Sequence, residues 1–75
     1  YKILNLDDLT RISEKHKTDS LTFDFLVGEG YIKSSDRLKI LGRGELAEKV
    51  TVEAHKASNS AEEAINAKGG TITLR

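Results

Sequence analysis

The chain has 75 residues, 37% of them hydrophobic, with no Trp, Met or Cys, two Tyr, two Phe, and twelve basic side chains balancing twelve acidic ones. So short a chain forms one small domain burying only roughly 60% of its unfolded surface, with Leu, Ile, Val and Ala packing the core. The composition excludes a disulfide scaffold and a thiolate metal site and suits a reducing compartment; no apolar run approaches the roughly 18 residues of a membrane helix, and no secretory signal pattern opens the chain.

Tyr1–Leu4 reads as a short strand. Asn5 is a good N-cap, and Asp7 and Asp8 fall in the first turn that follows, where the helix dipole favours carboxylates. Leu6, Leu9 and Ile12 recur at three-residue spacing, and Lys15, His16 and Lys17 close a helix predicted over Leu6–Lys17. Thr22 caps a second, shorter helix, Phe23–Val27, ended by Gly28 and Gly30, with Phe23, Leu26 and Val27 inward. Tyr31-Ile32 reads as an extended pair before the polar turn Lys33–Asp36.

Leu38–Leu41 is a strand with Leu38 and Ile40 on one face, and Gly42-Arg43-Gly44 is a tight turn towards the next strand. Val50–Ala54 alternates, which puts Val50, Val52 and Ala54 inward. Ser60-Ala61-Glu62-Glu63 matches a capping box, and Ala61, Ala64, Ile65 and Lys68 follow at helical spacing. Gly69 supplies a left-handed C-cap and Thr71–Leu74 a last strand. The whole reads as one α/β domain of short strands and helices, without a sequence repeat or an interior linker.

Charge is balanced locally as well as overall. Residues 1–19 carry four basic and four acidic groups, residues 20–49 five of each, and residues 50–75 three of each. Strong nonspecific nucleic-acid binding comes with a net basic face, so linear balance weighs against tight binding by this piece alone, unless folding gathers a basic patch.

The motifs that suggest enzymatic chemistry do not survive their context. Gly42-Arg43-Gly44-Glu45-Leu46-Ala47 fits a dinucleotide fingerprint, but that motif needs a long helix starting at the turn, and strand periodicity returns at Val50. The acidic pairs Asp7-Asp8 and Glu62-Glu63 are explained by helix dipoles and caps. His16 and His55 lack companions at metal-ligand spacing. There is no nucleophile elbow and no P-loop. What remains is basic and polar: Lys33, Arg37, Lys39, Arg43, Lys49 and the run His55-Lys56-Ala57-Ser58-Asn59-Ser60. That run leads into a helix N-terminus, where free amides suit a phosphate. An ordinary solvated loop explains it equally.

Lys39-Ile40-Leu41-Gly42, then Gly44, Leu46, Val50 and Val52, then Ala54-His55-Lys56, Ser60-Ala61, Ala64-Ile65 and Gly69-Gly70 form an ordered signature, with Asn5-Leu6 and Gly30-Tyr31-Ile32 before it. In these residues, over nearly its whole length, the chain resembles the C-terminal part of the L-fifteen family of large-subunit ribosomal proteins. The resemblance implies an irregular right-handed β-β-α superhelix, related to that of an archaeal and eukaryotic large-subunit protein. It also implies a structural role on the large-subunit rRNA, in the cytoplasm or an organelle, without enzymatic activity or a cofactor. Implied partners are that rRNA and neighbouring ribosomal proteins, with no membrane or small-molecule substrate and a monomer when isolated.

Family members usually begin with a long Gly-, Lys- and Arg-rich extension that threads into rRNA, and this sequence opens at Tyr1 with nothing like it. The expectation is therefore a C-terminal globular domain over residues 1–75 whose basic extension lies outside it. Carried onto this chain, the family role makes Lys39, Arg43, Lys56, Ser58, Asn59 and Ser60 rRNA-facing, with Lys33 next. The same charges equally suit neighbouring proteins, and the rival reading is a small protein–protein interaction module without an RNA role. Salt dependence of binding separates the two.

Overall fold

The computed structural model describes residues Tyr1–Arg75, and its strands pair only in parallel. In chain order the elements are β1 (Lys2–Asn5), α1 (Leu6–His16), β2 (Ser20–Leu21), α2 (Phe23–Gly28), β3 (Leu38–Leu41), β4 (Thr51–Ala54), β5 (Lys56–Ala57), α3 (Asn59–Ala67) and β6 (Thr71–Leu74). One sheet has the order β1-β3-β5 and the other β2-β4-β6. The chain thus deals its strands alternately to two sheets. Each coil passes from the first sheet to the second through α1, the loop 42–50 or α3, and returns through α2 and residues 29–37 or through His55. Parallel neighbours require such crossovers, because no tight turn can join them. The result is a three-coil α/β superhelix of short elements, repeated in topology but not in sequence.

The core lies between the sheets and under the helices. Leu38 and Ile40 of β3 face Val52 and Ala54 of β4, and α1 adds Leu6, Leu9 and Ile12, α2 adds Phe23 and Leu26, and α3 adds Ala61 and Ile65. A fully buried Leu or Ile contributes roughly 1.5–3 kcal/mol relative to exposure, so this small apolar set carries the fold. Ser13 is the one buried polar residue, and its hydroxyl donates to the Thr18 carbonyl at 2.7 Å.

Local chemistry sets the helix ends. Asn5 is extended, and the Asp8 carboxylate reaches back to accept its N–H at 2.8 Å. Lys17 ends α1 in the left-handed region at φ 53°. Thr22 caps α2 as expected, accepting the Phe25 N–H at 3.1 Å. The predicted strand at Tyr31-Ile32 does not form. The Tyr31 N–H is used on the Leu26 carbonyl at 3.0 Å, closing α2 with Gly30 left-handed at φ 82°. Ile32 is instead buried as a plug. His16, at the end of α1, packs edge-on to Phe25 and places Nε2 2.9 Å from the Tyr31 hydroxyl.

Two further expectations are corrected. The α3 cap is Ser58, which accepts the Ala61 N–H at 3.2 Å, so Ser60 and Glu63 do not form the capping box. The reason lies in the sheet: the Ser58 N–H donates to Ile40 at 3.0 Å, which makes Ser58 the last extended residue and leaves Ser60 inside the first turn. Gly42-Arg43-Gly44, read as a turn between adjacent strands, instead opens the crossover loop 42–50, because β3 and β4 belong to different sheets. No helix starts there, so the dinucleotide pattern lacks its helix, as expected.

His55 is the hinge where the chain leaves the second sheet for the first. Its N–H donates to the Leu38 carbonyl at 2.8 Å, and its Nδ1 accepts the Leu38 N–H at 3.0 Å. The ring also meets Phe23 edge-on at 5.3 Å. Replacing His55 with Ala leaves the Leu38 amide unpaired and is expected to cost about 1–3 kcal/mol in urea unfolding. His55→Asn, whose side-chain oxygen replaces Nδ1, should recover part of that loss. Equal stability of all three proteins would show that the ring does not hold this junction.

Candidate nucleic-acid interface

Folding sorts charge that the linear sequence keeps balanced. The strands of the first sheet carry Lys2, Lys39 and Lys56 and no carboxylate, whereas those of the second carry Glu53 and no Lys or Arg. The parallel register aligns Ile3 with Lys39 and Lys39 with Lys56, in one row across the first sheet. Leu38 and Ile40 alternate with Lys39 and are fully buried, so the row lies on the outer face. Adjacent strands stand about 4.8 Å apart, and like charges directly opposite each other destabilise a sheet. Neither lysine finds a carboxylate, since the ion pairs formed are Arg11–Asp8, His16–Glu29 and Arg75–Glu53. An anion from outside would relieve this repulsion.

The row ends in a rim built from three chain segments. Gly42 lies so close to α3 that a Cβ there would overlap the Ser60 hydroxyl. On the other side the loop is bonded to α1. Leu6 N–H donates to Arg43 at 3.0 Å, Glu45 N–H to the Asp7 carboxylate at 3.0 Å, and Ala47 N–H to the Thr10 hydroxyl at 3.2 Å. Gly44 is left-handed at φ 84° and lies against the same Asp7 carboxylate. Arg43 is therefore held, exposed and without an ion pair, between the starts of α1 and α3. At the start of α3 the Ser58 and Ser60 hydroxyls are 3.2 Å apart, and Asn59 is exposed beside them. The dipole of α3 adds partial positive charge at this point.

Of the residues singled out from sequence, Lys39, Lys56, Arg43, Ser58, Asn59 and Ser60 are thus brought to one face and its rim. Lys33 is not. It sits before the opposite, N-terminal end of β3, in a turn where the Asp36 carboxylate accepts its N–H at 2.8 Å. The run His55–Ser60 is no simple loop: His55 is a structural junction, and Lys56 and Ala57 form β5, too short for periodicity to reveal. Asp7 and Asp8 do serve local structure, Asp7 by fixing the glycine loop and Asp8 by closing the start of α1. Sequence reasoning missed Tyr1 and Ile3, which are 61% and 49% exposed on the same face as the lysine row, with Lys56 Nζ 5.9 Å from the Tyr1 ring. It also missed Asn5, whose side-chain oxygen is buried without a hydrogen-bond partner. The alternation of Tyr1 and Ile3 with Lys2 and Leu4 was the available signal.

Fold and face together define a small α/β superhelical domain with one cationic sheet. A family model for the ribosomal proteins 50S-L15, 50S-L18e and their 60S counterpart matches residues 3–73, and the chain belongs to this family of ribosomal proteins. It is 44% identical over 72 residues to "Large ribosomal subunit protein uL15" of Parabacteroides distasonis, a match covering 96% of this chain and 49% of that protein. The protein of the same name from Bacteroides fragilis is 39% identical over 72 residues, covering 96% of this chain and 49% of its own length. That from Mycobacterium avium is 41% identical over 73 residues, covering 97% and 49% respectively. The chain spans about half the length of the curated relatives it matches.

Proposed function

We propose that this chain is the C-terminal globular domain of a structural, non-enzymatic constituent of the large ribosomal subunit, docking on large-subunit rRNA. The observation that carries the reading is the unpaired lysine row on the first sheet, continuous with the Arg43 and Ser58–Ser60 rim. Phosphates meet Lys39, Lys56 and Arg43 and fix orientation, the hydroxyls and amides at the start of α3 add donors, and RNA shape supplies most of the recognition. Lys33 makes at most a separate contact. The remaining half of the relatives' length carries a basic extension, which this domain places. The protein works in cytoplasmic ribosomes, is monomeric when isolated, needs no cofactor and meets neighbouring ribosomal proteins. A protein neighbour is favoured on the second sheet, whose strands carry hydroxyls and Glu53 but no cation.

The test is a titration of large-subunit rRNA at several salt concentrations, using this domain alone and joined to the other half of the Parabacteroides distasonis relative. Four phosphate contacts predict a log–log slope of roughly −3 to −4. Binding by the joined protein alone assigns affinity to the extension and placement to this domain. Absence of salt-sensitive binding by the joined protein would leave the interaction-module reading in its place.

A further inference from the structure

Tyr1 and Ile3 project from β1 on the outer face of the first sheet, next to the lysine row. Large apolar side chains are costly to expose there, and nothing in the domain covers them. The Lys56 ammonium lies 5.9 Å from the Tyr1 ring centroid, close enough for the ring's electron-rich face to attract it. The same face has Lys39 directly opposite Lys56 and no carboxylate on any of its strands. An aromatic ring, an aliphatic neighbour and two unmatched cations on one sheet are complementary to a base with its phosphates. A protein partner would have to bring its own carboxylates to the pair and an apolar group to the ring.

We infer that Tyr1, supported by Ile3, is a stacking platform for one unpaired base of the rRNA, whose flanking phosphates are held by Lys39 and Lys56. A paired base inside an A-form helix hides its ring faces in the stack, so only a single-stranded or bulged nucleotide can lie on Tyr1. Stacking carries no charge, whereas the lysine contacts do, and the two contributions separate in the salt dependence. This inference rests on the rRNA-docking reading and adds to it the kind of nucleotide that the face takes.

The experiment measures binding of the joined protein to rRNA transcribed from Parabacteroides distasonis, with Tyr1→Ala, Tyr1→Phe, Lys39→Ala and Lys56→Ala variants. Tyr1→Ala is expected to weaken binding about tenfold with the salt slope unchanged, and Tyr1→Phe to bind as the parent. Each lysine variant should reduce the slope by about 0.7–0.9. In a Tyr31→Phe background, where Tyr1 is the only tyrosine of this domain, rRNA should quench its fluorescence. If both lysine variants reduce the slope while Tyr1→Ala binds as the parent, the stack is overturned and the rRNA reading stands. Absence of rRNA binding by the parent overturns both. If rRNA leaves Tyr1 unquenched while a large-subunit protein quenches it, the face is a protein interface and the inference falls.

Discussion

Gly70→Ala is expected to lower the stability of the domain by about 2–3 kcal/mol, from overpacking at a site that cannot relax. Gly70 joins α3 to β6 and donates its N–H to the Ile65 carbonyl at 2.9 Å. A Cβ placed on it would overlap the Val50 carbonyl oxygen and come within 3.1 Å of both Ile65 Cγ2 and the Val50 nitrogen. That oxygen is fixed, because it accepts the Thr71 N–H at 3.1 Å as the last strand begins. The loss is large against the ~4–11 kcal/mol expected for a chain of this length, and it should lower the melting temperature by roughly 10–20 °C. Gly28 is the control. It ends α2 with nothing within 4 Å of an added Cβ, so Gly28→Ala should leave stability unchanged or raise it by up to about 1 kcal/mol. A Gly70→Ala protein melting with the parent would mean that β6 does not seat against the start of β4.

Reversing both lysines of the first sheet, Lys39→Glu with Lys56→Glu, should weaken rRNA binding about 100-fold. Each lysine supplies one charge-assisted contact worth about 1.5 kcal/mol, or roughly tenfold, and their loss also flattens the salt slope by about 1.5. The free domain behaves differently. Lys39→Glu alone turns a repelling cross-strand pair into an attracting one, which should stabilise it by roughly 0.2–1 kcal/mol. The double variant restores like charges and should return stability to that of the parent. A stability gain that accompanies lost binding is the mark of a face kept for an external anion. Unchanged affinity in the double variant would remove this sheet from the rRNA interface.

Elements with their own strong local signals were legible in the sequence. Leu38–Leu41 and Thr71–Leu74 form with the bounds that alternation predicts, and Val50, Val52 and Ala54 point inward as read. Asn5 and Thr22 stand where helix starts require them. The misses come from tertiary contacts. Ser58 and Ser60 are equal as capping residues, and only the bond from Ser58 to Ile40 in the neighbouring strand decides between them. The two-residue strands β2 and β5 have no periodicity of their own and exist because β4 and β3 pair with them.

The site was half legible for the same reason. Lys39, Lys56 and Arg43 are identifiable one by one, as basic residues beside strands and a glycine loop. Their meeting depends on a register that joins distant parts of the chain. Each third of the sequence is neutral, yet the superhelix sends successive strands to opposite sheets and so separates cations from anions. Lys33 shows the converse, since closeness in sequence to β3 did not bring it to the face.

The parallel pairing also bears on how the domain comes into being on the ribosome that makes it. With no hairpin, there is no turn from which two strands can zip together as they emerge. Lys2 waits for Leu38 and Ser20 for Thr51, so β1 and β2 leave the exit tunnel long before their partners. Until then the apolar stripe Leu6, Leu9 and Ile12 of α1 has no sheet to cover it. Such long-range closure places folding at the slow end for a chain of this size and makes it a late event. The second sheet stays open until Thr71–Leu74 has been released to pair with β4.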